Sequence, residues 1–155
     1  MNETERRIEE LCGVWRLVSL DAIKPDGKLT TGWLGPRPAG LLVYDRSGYL
    51  AVQIMRGPRE RTVPDQMRAS RPQYYAYFGT FEVDERAHTI VHRVQGSLFP
   101  DEAGVSYRQD VTVFRDHLIL VTARHLVDGE ERRNRIEWQR VEERAAELNS
   151  KAELA

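Results

Sequence analysis

Cysteine is almost absent: Cys12 is the only one in 155 residues. That excludes an intrachain disulfide framework and any multi-cysteine zinc or iron–sulfur centre. No charge of one sign prevails either, since Lys+Arg total 23 against Asp+Glu 24, a formal net charge of -1. A dedicated binder of nucleic acid or of anionic membrane carries a clear basic surplus, so neither is expected as a partner. Long hydrophobic runs are missing. The longest, Gly40–Tyr44 and Leu118–Ala123, fall far short of the ~20 apolar residues of a membrane-spanning helix. The start of the chain carries Glu3, Glu5, Arg6, Arg7, Glu9 and Glu10, the opposite of a signal peptide's apolar middle, and the expected location is the cytoplasm. There is no Gly-x-Ser-x-Gly elbow, no phosphate-cradling glycine loop and no His-Glu-x-x-His helix. No metal and no cofactor are expected.

Apolar residues make up 41% and charged residues 30%, enough for one cored domain spanning residues 1–155. Residues 2–12 form an amphipathic segment. Glu5 stands three residues after Asn2, the spacing of a reciprocal helix cap, and Ile8, Leu11 and Cys12 share a face. Gly13 is placed to end that helix. From there to Val141 the segments 14–23, 40–45, 48–55, 74–83, 89–98, 105–115, 117–123 and 131–141 are rich in Val, Ile, Tyr, Phe and Thr. Turn signals separate them, such as Pro25-Asp26-Gly27, Arg46-Ser47-Gly48 and Asp128-Gly129. Eight closely spaced strands without interleaved helices predict an all-β antiparallel meander, which removes its edges by closing into an up-and-down barrel over about 13–141. The composition of 142–154 turns helical again. Two connections are long: Gly32–Ala39, which holds Trp33, and Arg56–Gln73, which holds Arg56, Arg59, Arg61, Arg68 and Arg71. Such loops are lids or binding loops at a barrel mouth, and the arginines would either recruit an anionic group or form a solvated surface.

Gly13-Val14-Trp15 ahead of a long first strand resembles the Gly-x-Trp signature of lipocalins. In that superfamily the Trp plugs the closed end and an Arg of the last strand packs across it, which points to Arg140 in Trp138-Gln139-Arg140. The chain is similar, more closely, to the bacterial stand-alone lipocalin-like domain family. Gly13–Ser19, Gly40–Tyr44, Gly48-Tyr49 with Gln53-Ile54-Met55, Tyr77–Asp84, His92 and Ser97–Pro100 carry that resemblance over residues 11–141. It implies an eight-stranded barrel around a cavity. Arg16, Leu17 and Val18 follow the Trp, so the Gly-x-Trp-x-Gly-x-Gly pattern of haem-binding small barrels is not met.

Strand alternation assigns faces. Solvent-suited Arg93 and Gln95 put Ile90, His92 and Val94 inside. Arg108 and Asp110 put Tyr107, Gln109, Val111 and Val113 inside, and Glu82 does the same for Tyr75, Tyr77, Gly79 and Phe81. In 48–55 either Leu50, Val52 and Ile54 face in, or Tyr49, Ala51, Gln53 and Met55 do. The second set is preferred, because an exposed aliphatic row could be covered by a helix or by a second copy in a homodimer. The expected cavity is therefore aromatic, with Trp33, Tyr75, Phe81 and Met55 as walls and Gln53 and Gln109 as polar handles, suited to a small apolar or aromatic organic molecule. His92, titrating near neutrality, is the candidate general acid or base, and Tyr77 and Tyr107 would hold a carbonyl or phenolate oxygen. The competing reading of His92 is a hydrogen-bonded packing residue. His88 and His92 lie about 13 Å apart along a strand at ~3.3 Å per residue, too far to share a metal. Cys12 is expected to pack, and Asp110 and Glu137 to point outward. These features favour a cofactor-independent isomerase, cyclase or lyase of secondary metabolism, against a carrier or sensor of a lipophilic compound. A barrel filled by its own side chains is a third reading.

Overall fold

The computed structural model describes residues 1–58, 73–127 and 129–142. The helix expected over 142–154 lies outside them from residue 143 on, as do residues 59–72 of the long connection with Arg59, Arg61, Arg68 and Arg71. Helix α1 spans Glu3–Leu11, and the reciprocal cap is present, with Glu5 N–H donating to Asn2 and Asn2 N–H donating to Glu5. The helix is followed by strands β1 (Gly13–Ile23), β2 (Leu29–Thr31), β3 (Ala39–Tyr44), β4 (Tyr49–Met55) and β5 (Tyr74–Asp84). Then come β6 (Thr89–Ser97), β7 (Ser106–Phe114), β8 (His117–Thr122), β9 (His125–Val127) and β10 (Glu130–Arg140). The eight expected strands are all there, and β2 and β9 are short additions. The antiparallel order runs β1-β3-β4-β5-β6-β7-β8-β10 and closes through the β1–β10 pairing, so the sheet is a barrel. None of the described helices is long and apolar enough to cross a membrane.

One end of the barrel is plugged. Trp15 is fully buried, its indole N–H donates to Leu11 O at 2.8 Å, and the Arg140 guanidinium lies 4.2 Å from its ring centroid. Arg140 also donates to the carbonyls of Cys12 and Glu10, which the end of α1 leaves without helical partners. Leu11 is completely buried, and Arg7 pairs with Glu85 of the β5–β6 turn, so α1 is fastened across this end.

Two bulges set which side chains face in. Between Leu17 and Ser19 the β1–β10 register shifts, and the buried positions change from Trp15 and Leu17 to Leu20 and Ala22. Opposite Phe78 and Gly79 the β5–β6 register skips Gln95, so Ser97, not Gly96, continues the inward row of Ile90, His92 and Val94. Gly79 permits this approach, since a Cβ there would sit 1.9 Å from Arg93 O.

The preferred facing of β4 is reversed. Leu50, Val52 and Ile54 are buried, whereas Tyr49, Ala51 and Gln53 are exposed and half-buried Met55 shares their outward side. Burying three aliphatic side chains is worth ~1.5–3 kcal/mol each, which a row holding Gln53 and a tyrosine hydroxyl cannot match. Gln53 instead accepts from Tyr74 Oη on the outer surface. With the aliphatic row inside, the argument for a homodimer from that row loses its premise. His88 likewise leaves the strand for the β5–β6 turn, at a φ of 52°.

Candidate functional site

The barrel encloses a cavity of about 750 Å³. Leu20, Leu42, Val52, Ile54, Leu120 and Ile136 supply its aliphatic lining. Trp33, Tyr75, Tyr77, Phe99 and Tyr107 supply its aromatic one. Trp33 is set there by the Gly32–Ala39 loop, whose carbonyl at Trp33 accepts from Arg56 at 2.6 Å. Arg56 therefore anchors a wall.

The structure brings together His92, Tyr77 and Gln109, three of the expected polar residues. His92 is 1% exposed, with Nδ1 2.7 Å from Tyr77 Oη and 3.3 Å from the Gln109 amide. Its Nε2 lies 2.6 Å from Tyr44 Oη, a partner that sequence reasoning missed because Tyr44 ends a short apolar strand and reads as core. Burial pushes the His92 pKa down to about 3, so the imidazole is neutral and does not titrate near pH 7, contrary to expectation. Burial likewise raises the Tyr44 and Tyr77 hydroxyls above the ordinary phenol value. Phe81 faces inward as expected but packs against Tyr44, with ring centroids 4.7 Å apart, and does not line the cavity. Gln53 and Met55, on the outer face, do not line it either.

A second polar cluster was not foreseen. After β6 a single 3-10 turn, Pro100–Glu102, turns Glu102 into the cavity. Tyr75 Oη donates to its two carboxylate oxygens at 2.7 and 2.9 Å, Ser97 Oγ donates at 2.7 Å, and Tyr107 Oη donates as well. Burial acts to raise this carboxyl, but the hydrogen bonds from Tyr107, Ser97 and Tyr75 outweigh it and hold the group below the usual carboxylate range. Tyr107, expected to hold a carbonyl or phenolate oxygen, thus donates to Glu102. The signal available in the sequence was the pair of tyrosines, Tyr75 and Tyr107, that alternation turns inward; the register shift that turns Ser97 inward shows only in the strand pairing. Deeper in the cavity Trp138 is 2% exposed, and its Nε1 is the one buried side-chain polar atom among the described residues without a hydrogen-bond partner. No cluster of His, Cys, Asp or Glu among the described residues has metal-holding geometry.

A closed antiparallel barrel with a Trp–Arg plug at one end and an aromatic cavity opening at the other defines a member of the lipocalin/calycin superfamily. Within it, residues 12–141 match the family model of the lipocalin-like domain, and the chain belongs to that family. A search of curated proteins found no match. Among solved structures the chain is similar to bovine odorant binding protein in complex with a selenium-containing odorant. The identity is 16% and the TM-score 0.52, over 99% of this chain and 85% of that one. It is similar as well to bovine odorant binding protein complexed with its natural ligand, at 16% identity and a TM-score of 0.50, over 99% and 83%. At this identity the likeness speaks for the fold.

Proposed function

We propose that the barrel binds a small, largely apolar organic molecule in its cavity. The observation that carries this reading is the cavity itself. About 750 Å³ enclosed by aliphatic and aromatic side chains falls in the ~300–1,000 Å³ range of small-molecule sites. Its few polar groups are placed to orient a guest. The similar bovine structures hold an odorant and a natural ligand, which supports the same use of the fold here. Native mass spectrometry of freshly purified protein, followed by denaturing extraction, tests the proposal. The expected result is one small molecule released at no more than one per chain, or an empty barrel that takes up a neutral lipophilic fluorophore. An empty protein that ignores the fluorophore overturns it in favour of a filled barrel.

A second reading, a cofactor-independent isomerase, cyclase or lyase of secondary metabolism, is favoured by the row Tyr44–His92–Tyr77. Tyr44 is buried, and its hydroxyl lies 2.6 Å from His92 Nε2. In the tautomer with the ring proton on Nδ1, Tyr44 O–H donates to Nε2 and Nδ1–H donates to Tyr77 Oη, an arrangement that requires the Gln109 amide, whose Nε2 lies 3.3 Å from Nδ1, to be flipped. Tyr77 O–H is then free to donate into the cavity, where it would hold or protonate a carbonyl oxygen. The walls fix the reactive conformation. Tyr77→Phe is expected to remove turnover of the recovered compound while binding is retained. If the compound is not turned over, or Tyr77→Phe only shifts affinity, the protein is a carrier or sensor.

A further inference from the structure

The cluster around Glu102 has the opposite hydrogen-bonding character to the His92 row. The hydroxyl protons of Tyr75, Ser97 and Tyr107 are all directed at the Glu102 carboxylate. Each donor is thereby spent; the Ser97 oxygen accepts from Phe99 N–H, and the Tyr75 and Tyr107 oxygens offer only lone pairs outward. Three protons, that of Tyr75 shared between both oxygens, serve a carboxylate that accepts at about four sites. The surface that Tyr75, Glu102 and Tyr107 present to the cavity accepts hydrogen bonds, donates none and carries a negative charge. Among the described residues no arginine, lysine or histidine forms an ion pair with Glu102, and the two arginines that reach the lining are engaged elsewhere. Arg108 donates to Thr89 Oγ1, and Arg124 pairs with Glu131.

Two of the rings that touch this carboxylate through their hydroxyls, Tyr75 and Tyr107, belong to a larger aromatic group. Tyr75 stacks on Phe99 at 5.6 Å between centroids, Trp33 meets Tyr75 edge-on at 6.4 Å, and Tyr77 lies 5.9 Å from Tyr107. Aromatic faces beside a carboxylate in a mostly apolar cavity attract a desolvated organic cation, and an acceptor-only surface requires that cation to carry N–H donors. A neutral alcohol could use one acceptor but would leave the charge uncompensated, and a carboxylic acid would be repelled. We infer that the cavity is selective for an amphipathic amine, an apolar or aromatic body whose protonated nitrogen sits between Glu102 and the rings of Tyr75 and Tyr107. This rests on the binding function proposed above and names its ligand class.

Three isosteric probes test it by calorimetric titration at pH 7.5: 2-naphthylmethylamine, 2-naphthylmethanol and 2-naphthoic acid. The amine is expected to bind about tenfold or more tightly than the alcohol, as a charge-assisted hydrogen bond with cation–π support requires, and the acid most weakly. In Glu102→Gln the ratio of amine to alcohol affinity is expected to fall to about one. The ratio is read on a single protein, and circular dichroism melting verifies that the variant is folded. Alcohol or acid binding as tightly as the amine, or an amine preference that survives Glu102→Gln, overturns this inference alone. Failure of all three probes to bind overturns it together with the binding function.

Discussion

The neutral, buried His92 makes the stability of the barrel depend on pH in a calculable way. Its pKa falls from the ordinary 6.5 to about 3 because the imidazolium would lose its hydration among Tyr44, Tyr77 and Gln109. The unfolded chain therefore takes up a proton on this residue at a higher pH than the folded one. The stability that His92 contributes is complete above its unfolded value, declines as the pH drops below 6.5, and is fully lost near the folded value of about 3. Each pH unit in this window costs ~1.4 kcal/mol, so roughly 2 kcal/mol is lost by pH 5 and about 5 kcal/mol by pH 3. The residue is 1% exposed, so solvent does little to moderate the penalty. Carboxylates held below their ordinary range, such as Glu85 and Glu102, contribute in the same direction, but only below the ordinary 4.5. Urea denaturation at pH 7.5 and at pH 5.0 therefore isolates His92. The wild-type protein is expected to lose about 2 kcal/mol between the two, and His92→Gln, which cannot titrate, to lose little of it. Should the variant fail to fold, imidazole nitrogen shifts of His92 in the wild type, unchanged from pH 7.5 to pH 5, supply the same answer. A wild type equally stable at both pH values, or a loss that persists in His92→Gln, refutes the reasoning.

Arg140→Ala removes the stacking on Trp15 and two hydrogen bonds to the carbonyls that end α1. It is expected to cost about 2 kcal/mol in a thermal melt without changing fluorophore affinity. Gly79→Ala places a Cβ 1.9 Å from Arg93 O. Its expected cost is about 3 kcal/mol or more in denaturant titration, and a neutral result would mean that the bulge is not held by this glycine. On β4, Ile54→Ala is expected to cost about 3 kcal/mol and to alter fluorophore binding, whereas Gln53→Ala should leave affinity within about twofold. The reverse order would restore the outward-facing aliphatic row.

Much of the architecture was readable because its causes are local. The Asn2–Glu5 cap, the turn dipeptides and the alternation in β5, β6 and β7 each follow from a few neighbouring residues. The placement of His92, Tyr77 and Gln109 on one interior surface follows from that alternation. Strand β4 defeated the same logic because both of its faces hold large apolar side chains. Only its pairing with Leu42 and Tyr44 on β3 and with Tyr75 and Tyr77 on β5 decides which face is interior. Glu102 escaped for a different reason. It lies in a turn beside Asp101, where a charged residue reads as solvated, and its three donors come from β5, β6 and β7 across separations that no local spacing encodes. Tyr44 was overlooked because a buried tyrosine in an apolar strand shows its hydroxyl partner only after the barrel closes.

Titration with N-phenyl-1-naphthylamine, followed by its emission, tests the central claim that the cavity receives a small apolar molecule. The account predicts a saturable, blue-shifted enhancement at one molecule per chain, weakened when Ile54→Trp fills the lining and reversed by 2-naphthylmethanol. Emission that does not change, or that rises without saturating and equally in Ile54→Trp, would contradict it.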